Sequence, residues 1–266
     1  MKILVIGGNR FVGKKLVTTL LDISHDVTVL NRSGTGPDGA KILKMDRNDE
    51  INYNFISFND YDCIVDMCLF KPEQFELIKN RISRATNYIF VSSGAVDYID
   101  TNAFGDYAIE KMEIEKALSK SGFNYKIVRP SYIVGIGNHR PRLGYYISQL
   151  KNNKPIAING DGNYPINLVF VDDVVDCLLE LIHDPKQTYK TYNICGDESI
   201  TINDLIKYLK NELGIRNHKI VDTIDSLFPN QSFEFKNEEI KNDYGDIIFT
   251  DLKEGIKKYI EEYNEL

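Results

Sequence analysis

No C-x-x-C pair occurs in this chain. Its four cysteines are Cys63, Cys68, Cys177 and Cys195, and none stands near a histidine at metal-ligand spacing. All lie in or beside apolar runs, as buried free thiols do. The pattern gives no metal site and fits a reducing cytoplasm. Positive charge is also in deficit. The net charge is −7 over 266 residues, whereas a surface that neutralises phosphates needs clustered Lys and Arg. Nucleic acid is not the expected partner. Long hydrophobic runs are missing too. The apolar stretch in Met1–Gly7 is too short for a signal peptide, and no later stretch could span a bilayer. A membrane partner is not expected, and the expected location is the cytoplasm. No internal repeat or disordered linker stands out.

What remains is ordinary globular composition, 42% hydrophobic and 27% charged. The length suits one large α/β domain, or one with a smaller lobe. Through residue 130, short β-rich runs alternate with helical patterns. Strands are expected at Ile3–Ile6, Val27–Leu30, Cys63–Met67, Tyr88–Val91 and Tyr125–Val128. Helices are expected at Phe11–Leu21, Glu73–Ile82 and Tyr107–Leu118. Apolar strands of this length, separated by helices, mark a parallel sheet covered on both faces, a doubly wound Rossmann fold. After Pro130 the rhythm becomes loop-rich. A helix is expected near Tyr145–Leu150, another opens at Phe170-Val171-Asp172-Asp173 with an Asp as its cap, and Tyr192–Cys195 reads as a late strand. Residues 1–130 form the expected dinucleotide-binding domain, with 166–195 returning to it. Residues 131–165 and 196–266 form an interleaved, smaller substrate-binding lobe.

Gly7-Gly8-Asn9-Arg10-Phe11-Val12-Gly13 follows a strand and precedes a helix, the context of a dinucleotide-binding turn. Gly7 takes the tight turn, and Gly13 lets the helix pack on the sheet. The helix N-terminus presents N–H groups and a positive dipole to a pyrophosphate. Arg10 replaces the usual middle glycine. The second strand ends in Asn31-Arg32-Ser33 and lacks the acid that binds a ribose 2′-hydroxyl. Arg32, with Arg10, can pair with a 2′-phosphate, so NADP is expected over NAD. Asp46, after the third strand, is a candidate for the adenine amino group. Met67, at the end of the next strand, completes the cofactor set together with Asn9, Phe11 and Val12.

Tyr107 and Lys111 are four apart on a helical pattern and share a face. Of the 16 tyrosines, only Tyr107 has a lysine four residues on. A phenol titrates near 10. A neighbouring ammonium and the positive ring of an oxidised nicotinamide lower that value and make the phenol a usable proton shuttle. Ser93, at the end of the preceding strand, is placed to hydrogen-bond a carbonyl oxygen.

With these residues in hand, the chain resembles the extended short-chain dehydrogenase/reductase family of sugar-nucleotide epimerases, dehydratases and reductases. The resemblance rests on Gly7-x5-Gly13, Asp62–Asp66, Val91–Val96, Tyr107-x3-Lys111, Val128–Gly135, Gly160-Asp161-Gly162 and Val171–Val175. It implies that Ser93, Tyr107 and Lys111 are catalytic and that Lys111 also holds the nicotinamide ribose. Ser131 would line the nicotinamide. Asn138, His139, Arg140 and Arg142 would contact substrate, and a homodimer would form through helices that include Tyr107–Leu118.

The departures narrow this further. Gly94-Ala95 stand where the 4,6-dehydratases carry Asp-Glu, so dehydration is set aside. Ile166 stands where many members carry an Arg for the substrate diphosphate, leaving Arg140 or Arg142 for that role. The segment from Ser93 to Tyr107 is short and trims a loop that usually covers the site. The Gly-Gly-x-Arg-Phe turn is similar to a subgroup that includes plant chloroplast proteins binding stem-loop RNA. The expected activity is NADPH-dependent reduction of a keto group on a nucleotide-activated sugar. An epimerase of the same class is the alternative, and a non-catalytic nucleotide- or RNA-binding relative is a third reading.

Overall fold

The computed structural model describes residues 1–101, 103–186, 188–223 and 226–265. The first apolar run forms β1 (Lys2–Ile6), and the glycine turn leads into α1 (Phe11–Asp22). Next come β2 (Asp26–Asn31), β3 (Lys41–Lys44) and β4 (Cys63–Asp66). After β4 stand α2 (Pro72–Glu76), β5 (Asn87–Val91), α3 (Gly105–Ser119) and β6 (Asn124–Pro130). Then the chain leaves for a second lobe through β7 (Tyr132–Val134), α4 (Arg142–Lys151), β8 (Ile156–Ile158) and β9 (Pro165–Phe170). It returns with α5 (Val171–His183) and β10 (Lys190–Ile194). Finally β11 (Ser199–Thr201), α6 (Ile202–Glu212), β12 (Ile220–Asp222), α7 (Glu238–Asp243) and α8 (Leu252–Asn264) follow.

Seven strands make one sheet in the order β10-β6-β5-β4-β1-β2-β3, every pair parallel. The chain steps outward from β1 to β3, then jumps back to β4 on the other side. The direction of winding therefore reverses between β1 and β4, where open α/β sheets bind their ligands beyond the carboxyl ends of the strands. Side chains alternate along β1 as a strand requires. Ile3 and Val5 join the core under α1 and α5. Leu4 and Ile6 join the opposite core, with Phe75, Ile114 and Leu118. A third core fills the lobe between α4, α6 and α8.

Helix α5 packs on α1, and β10 joins the seven-stranded sheet beside β6. Strand β9 pairs instead with β7 and β11 in a small three-stranded sheet. Two local expectations are corrected. The helix expected over Glu73–Ile82 ends at Glu76. Beyond it, Ile78 N–H bonds Phe75 O and Arg81 N–H bonds Ile78 O. These three-residue turns bury Phe75, Ile78 and Ile82 just as a regular helix would, so the apolar spacing fits either. At α5 no Asp serves as the cap: Phe170 holds the N-cap without a side-chain bond. Asp172 pairs with Lys15 and Lys258, and Asp173 accepts from Thr250 N and Oγ1. Both carboxylates still sit in the first turn, where the helix dipole favours them.

Ile166 lies on β9 opposite Ile200, is 0% exposed and belongs to the lobe core. Ile166→Arg would bury an unpaired cation and is expected to cost about 3–5 kcal/mol. Urea unfolding checks this, and a variant within about 1 kcal/mol of wild type would contradict the buried placement.

Candidate active site

The carboxyl ends of six neighbouring strands carry residues singled out from the sequence. Gly7 follows β1, Asn31 ends β2, Asp46 follows β3, Met67 follows β4, Ser93 follows β5 and Ser131 follows β6. Gly7 has φ +94°, and a Cβ there would lie 2.2 Å from Cys68 Sγ. A Cβ on Gly13 would lie 2.3 Å from the carbonyl oxygen of Gly7. The positive φ and the Cys68 side chain require glycine at position 7, and close backbone approach requires it at position 13. Arg10 is the N-cap of α1 and makes no side-chain cap bond. The first N–H groups of the helix, at Phe11, Val12 and Gly13, therefore stay open to an anion. Phe11 adopts φ +43° and packs its ring against Gly135.

The loop after β2 is organised by Asn31. Its Oδ1 accepts from Ser33 Oγ and Gly34 N, and its Nδ2 donates to Thr35 O. Asn9 Nδ2 donates to Ser33 Oγ at 3.0 Å, tying the loop to the glycine turn. Both asparagines are occupied in building the frame. Arg10 and Arg32 are exposed, and neither has an acidic partner among the described residues. Asp46 Oδ1 accepts from Asn48 N and Nδ2.

On the other side of the switch point, Lys111 is buried, 1% exposed. Its Nζ donates to Leu69 O at 2.8 Å and Val91 O at 2.9 Å. It also lies 4.7 Å from the ring centre of Phe90 and 4.9 Å from that of Phe70. Burial pushes its ammonium down to about 8, against the opposing pull of Asp66 and Cys68. Tyr107, one turn earlier on α3, is 40% exposed. Desolvation raises the phenol's pKa, and the neighbouring Ser93 side chain and the positive charges of Arg140 and Arg142 oppose that rise. Lys111 Nζ lies 6.0 Å from the Tyr107 ring centre, and the charges of Arg140 and Arg142 act on the same phenol. Ser131 is buried, and its Oγ finds no hydrogen-bond partner among the described residues. A buried hydroxyl without a partner carries a desolvation cost, so Ser131 fits a wall that a polar ligand completes.

The remaining expected substrate contacts divide. Asn138 is absorbed by its own turn: its Nδ2 donates to Ile133 O, and its Oδ1 accepts from Arg140 N. His139 is exposed. The Arg142 guanidinium stacks 4.6 Å from the Tyr132 ring centre and 5.6 Å from that of Phe228, and its Nε is buried without a partner. Several features escaped sequence reading. One is an aromatic wall of Tyr98, Phe104, Tyr132, Phe233 and Phe235 with ring centres 4.5–6.5 Å apart. Phe235 occupies the space beside Gly94, where a Cβ would lie 2.5 Å from Phe235 Cζ. Another is the chain Ser92–Glu115–Arg129–Asp97 behind Lys111. These partners come from segments distant in sequence, and only Glu115, four residues after Lys111, was within reach of spacing arguments.

Residues 76–195 match the model of the NAD dependent epimerase/dehydratase family. The chain is 27% identical over 249 residues to the chloroplast stem-loop binding protein of 41 kDa b of Arabidopsis thaliana, covering 83% of this chain and 65% of that protein. It is 26% identical over 220 residues to bifunctional pinoresinol-lariciresinol reductase 2 of Linum usitatissimum, covering 73% and 65%. In both comparisons the match takes in just under two thirds of the relative's length. Among solved structures it is similar to the UDP-glucose 4-epimerase of Thermotoga maritima with UDP-glucose. The TM-score is 0.81 at 20% identity, covering 100% of this chain and 99% of that one. At that identity the likeness is one of fold.

The lowered pKa of Lys111 has a consequence for stability. The unfolded chain keeps this proton up to its ordinary value of 10.5, and the folded one loses it near 8. Between those values the unfolded state binds more protons, so this group's contribution to stability rises with pH. Wild type should therefore gain on Lys111→Met between pH 8 and 10. Urea unfolding at both pH values measures the gap, and a gap independent of pH would contradict the buried, depressed ammonium.

Proposed function

We propose that this protein is an NAD(P)-dependent oxidoreductase of a nucleotide-activated sugar, and specifically a keto-sugar reductase that prefers NADPH. The observation that carries this reading is the Tyr107 ring, one helical turn from Lys111 on α3, with the Lys111 Nζ 6.0 Å from its centre. Gly7, Asn9, Arg10, Phe11, Val12 and Gly13 would hold the pyrophosphate half of the cofactor. Asn31, Arg32 and Asp46 would face the adenosine half, and Met67, Lys111 and Ser131 the nicotinamide half. When bound, the cofactor supplies a hydride.

The residues do the rest. Ser93 would hold the substrate carbonyl oxygen beside the phenol, and Tyr107 would give that oxygen its proton. Lys111 would stabilise the phenolate that results, a role its two backbone carbonyls orient and its charge supplies. Arg140 and Arg142 supply cations near the phenol, and they stand in for the diphosphate arginine that Ile166 replaces. The absence of an acid at position 94, with Phe235 filling that space, supports reduction over dehydration. The preference for NADPH rests on Arg32, exposed and without an acidic partner among the described residues, at the end of β2. A homodimer through α3 is part of the proposal. The exposed face of that helix carries Asp106, Ile109, Glu113 and Lys116.

An epimerase is the second reading, favoured by the family that residues 76–195 match. It would oxidise and re-reduce one carbon with no net use of cofactor. A stem-loop RNA binder, suggested by the name of the Arabidopsis thaliana relative, would be indifferent to the phenol.

Tyr107→Phe separates these readings. With NADPH and a panel of 4-keto sugar nucleotides, wild type should oxidise the cofactor, and the variant should be slower by at least ~10²-fold, the scale of a lost acid/base group. Equal rates, or no cofactor oxidation by wild type, would overturn the proposal.

A further inference from the structure

Arg47 and Asp66 form a buried ion pair that none of the roles above uses. Asp66 closes β4 and is 0% exposed, and Arg47 is 7% exposed. Arg47 Nη1 donates to Asp66 Oδ1 at 2.8 Å, and Nη2 donates to Oδ2 at 2.9 Å. Tyr88 OH donates to the same carboxylate at 2.9 Å and Cys68 N at 3.1 Å. Tyr53 OH in turn donates to the Arg47 carbonyl at 2.8 Å. The carboxylate thus has four donors, and Arg47 is held at both its backbone and its guanidinium.

The position of this pair in the sheet is informative. Arg47 lies three residues beyond β3, and Asp66 is the last residue of β4. Two strands, β2 and β1, stand between them, a span of roughly 14 Å at ordinary strand spacing. The pair therefore ties the tail of β3 back across the carboxyl ends of β2 and β1. Those ends carry Asn31 and Gly7, the frame of the candidate cofactor crevice. Asp46, adjacent to Arg47, is set by this tie. Its Oδ1 is taken by Asn48, while its Oδ2 has no hydrogen-bond partner among the described residues.

Burying two charges contributes little net stability, because desolvation offsets their attraction. What a two-pronged Arg–carboxylate bond supplies is geometry. We propose that Arg47 is a positioning residue for the adenosine half of the dinucleotide, holding Asp46 against the crevice through its bond to Asp66. The proposal rests on the dinucleotide reading of the site.

Arg47→Lys keeps the charge and loses the two-pronged geometry. The ligands to titrate are NADPH, ADP-ribose 2′-phosphate, which carries the adenosine half, and reduced nicotinamide mononucleotide, which lacks it. The variant should bind the first two about tenfold more weakly, the scale of one charge-assisted hydrogen bond, and the mononucleotide within about twofold of wild type. If Arg47→Lys fails to fold, the double variant Arg47→Met with Asp66→Leu removes both buried charges and provides the folded test. It should show the same adenosine-specific loss. Equal losses for all three ligands, or no loss in a folded variant, would overturn the proposal. If wild type binds none of them, the dinucleotide reading itself fails and the proposal falls with it.

Discussion

The candidate site depends on one buried ammonium. Lys111 Nζ bonds the backbone carbonyls of Leu69 and Val91, so it joins α3 to the ends of β4 and β5. Those two bonds fix where α3 begins to cross the sheet, and with it where Tyr107, one turn earlier, presents its phenol. Ser93, two residues beyond Val91, is set by the same anchor. A charged group held this deeply loses hydration, and the lowered pKa of Lys111 expresses that cost. A lysine kept for stability alone would be replaced without loss by an apolar side chain, since a buried charge is costly to keep. The proposed reaction uses that charge beside the phenol of Tyr107.

The two halves of the crevice are built by different means. On the β1–β3 side, backbone does the work: two close-packed glycines, an uncapped helix start, and a loop organised by Asn31. On the β4–β6 side, side chains do it, through ion pairs and hydrogen bonds behind α3. The first construction suits a pyrophosphate, which is recognised by N–H groups and a dipole. The second suits proton transfer, which needs groups of tuned acidity held in place. Phe235 packs on Gly94 and Arg142 stacks on Tyr132 and Phe228, which leaves little room for an extra carboxylate at position 94.

Much of this arrangement was legible in the sequence because it is local. Gly7 and Gly13 flank one turn, Tyr107 and Lys111 share one helix, and the apolar runs of β1, β2, β4, β5 and β6 have the length of buried parallel strands. What was not legible depends on long-range partners. Asp66 ends an apolar strand, which signals a buried carboxylate, but nothing nearby points to Arg47 across two strands. Phe235 packs on Gly94 from a loop more than a hundred residues later. The helix expected at Glu73–Ile82 went astray for a different reason, since apolar residues spaced three and four apart fit successive tight turns as well as an α-helix. The Asp expected to cap α5 was drawn instead to the lysines of α1 and α8.

The proposed reaction passes a hydride from a dinucleotide at the carboxyl ends of the strands to a carbonyl carbon, while Tyr107 protonates the oxygen. Deuteride transfer tests it most directly. NADPH carrying deuterium at the transferable position is incubated with the protein and a 4-keto sugar nucleotide, and the product is examined by mass spectrometry and NMR. One deuterium per product molecule is expected, on the former carbonyl carbon, with one cofactor oxidised for each. Unlabelled product, or sugar recovered unchanged with the cofactor still reduced, would contradict it.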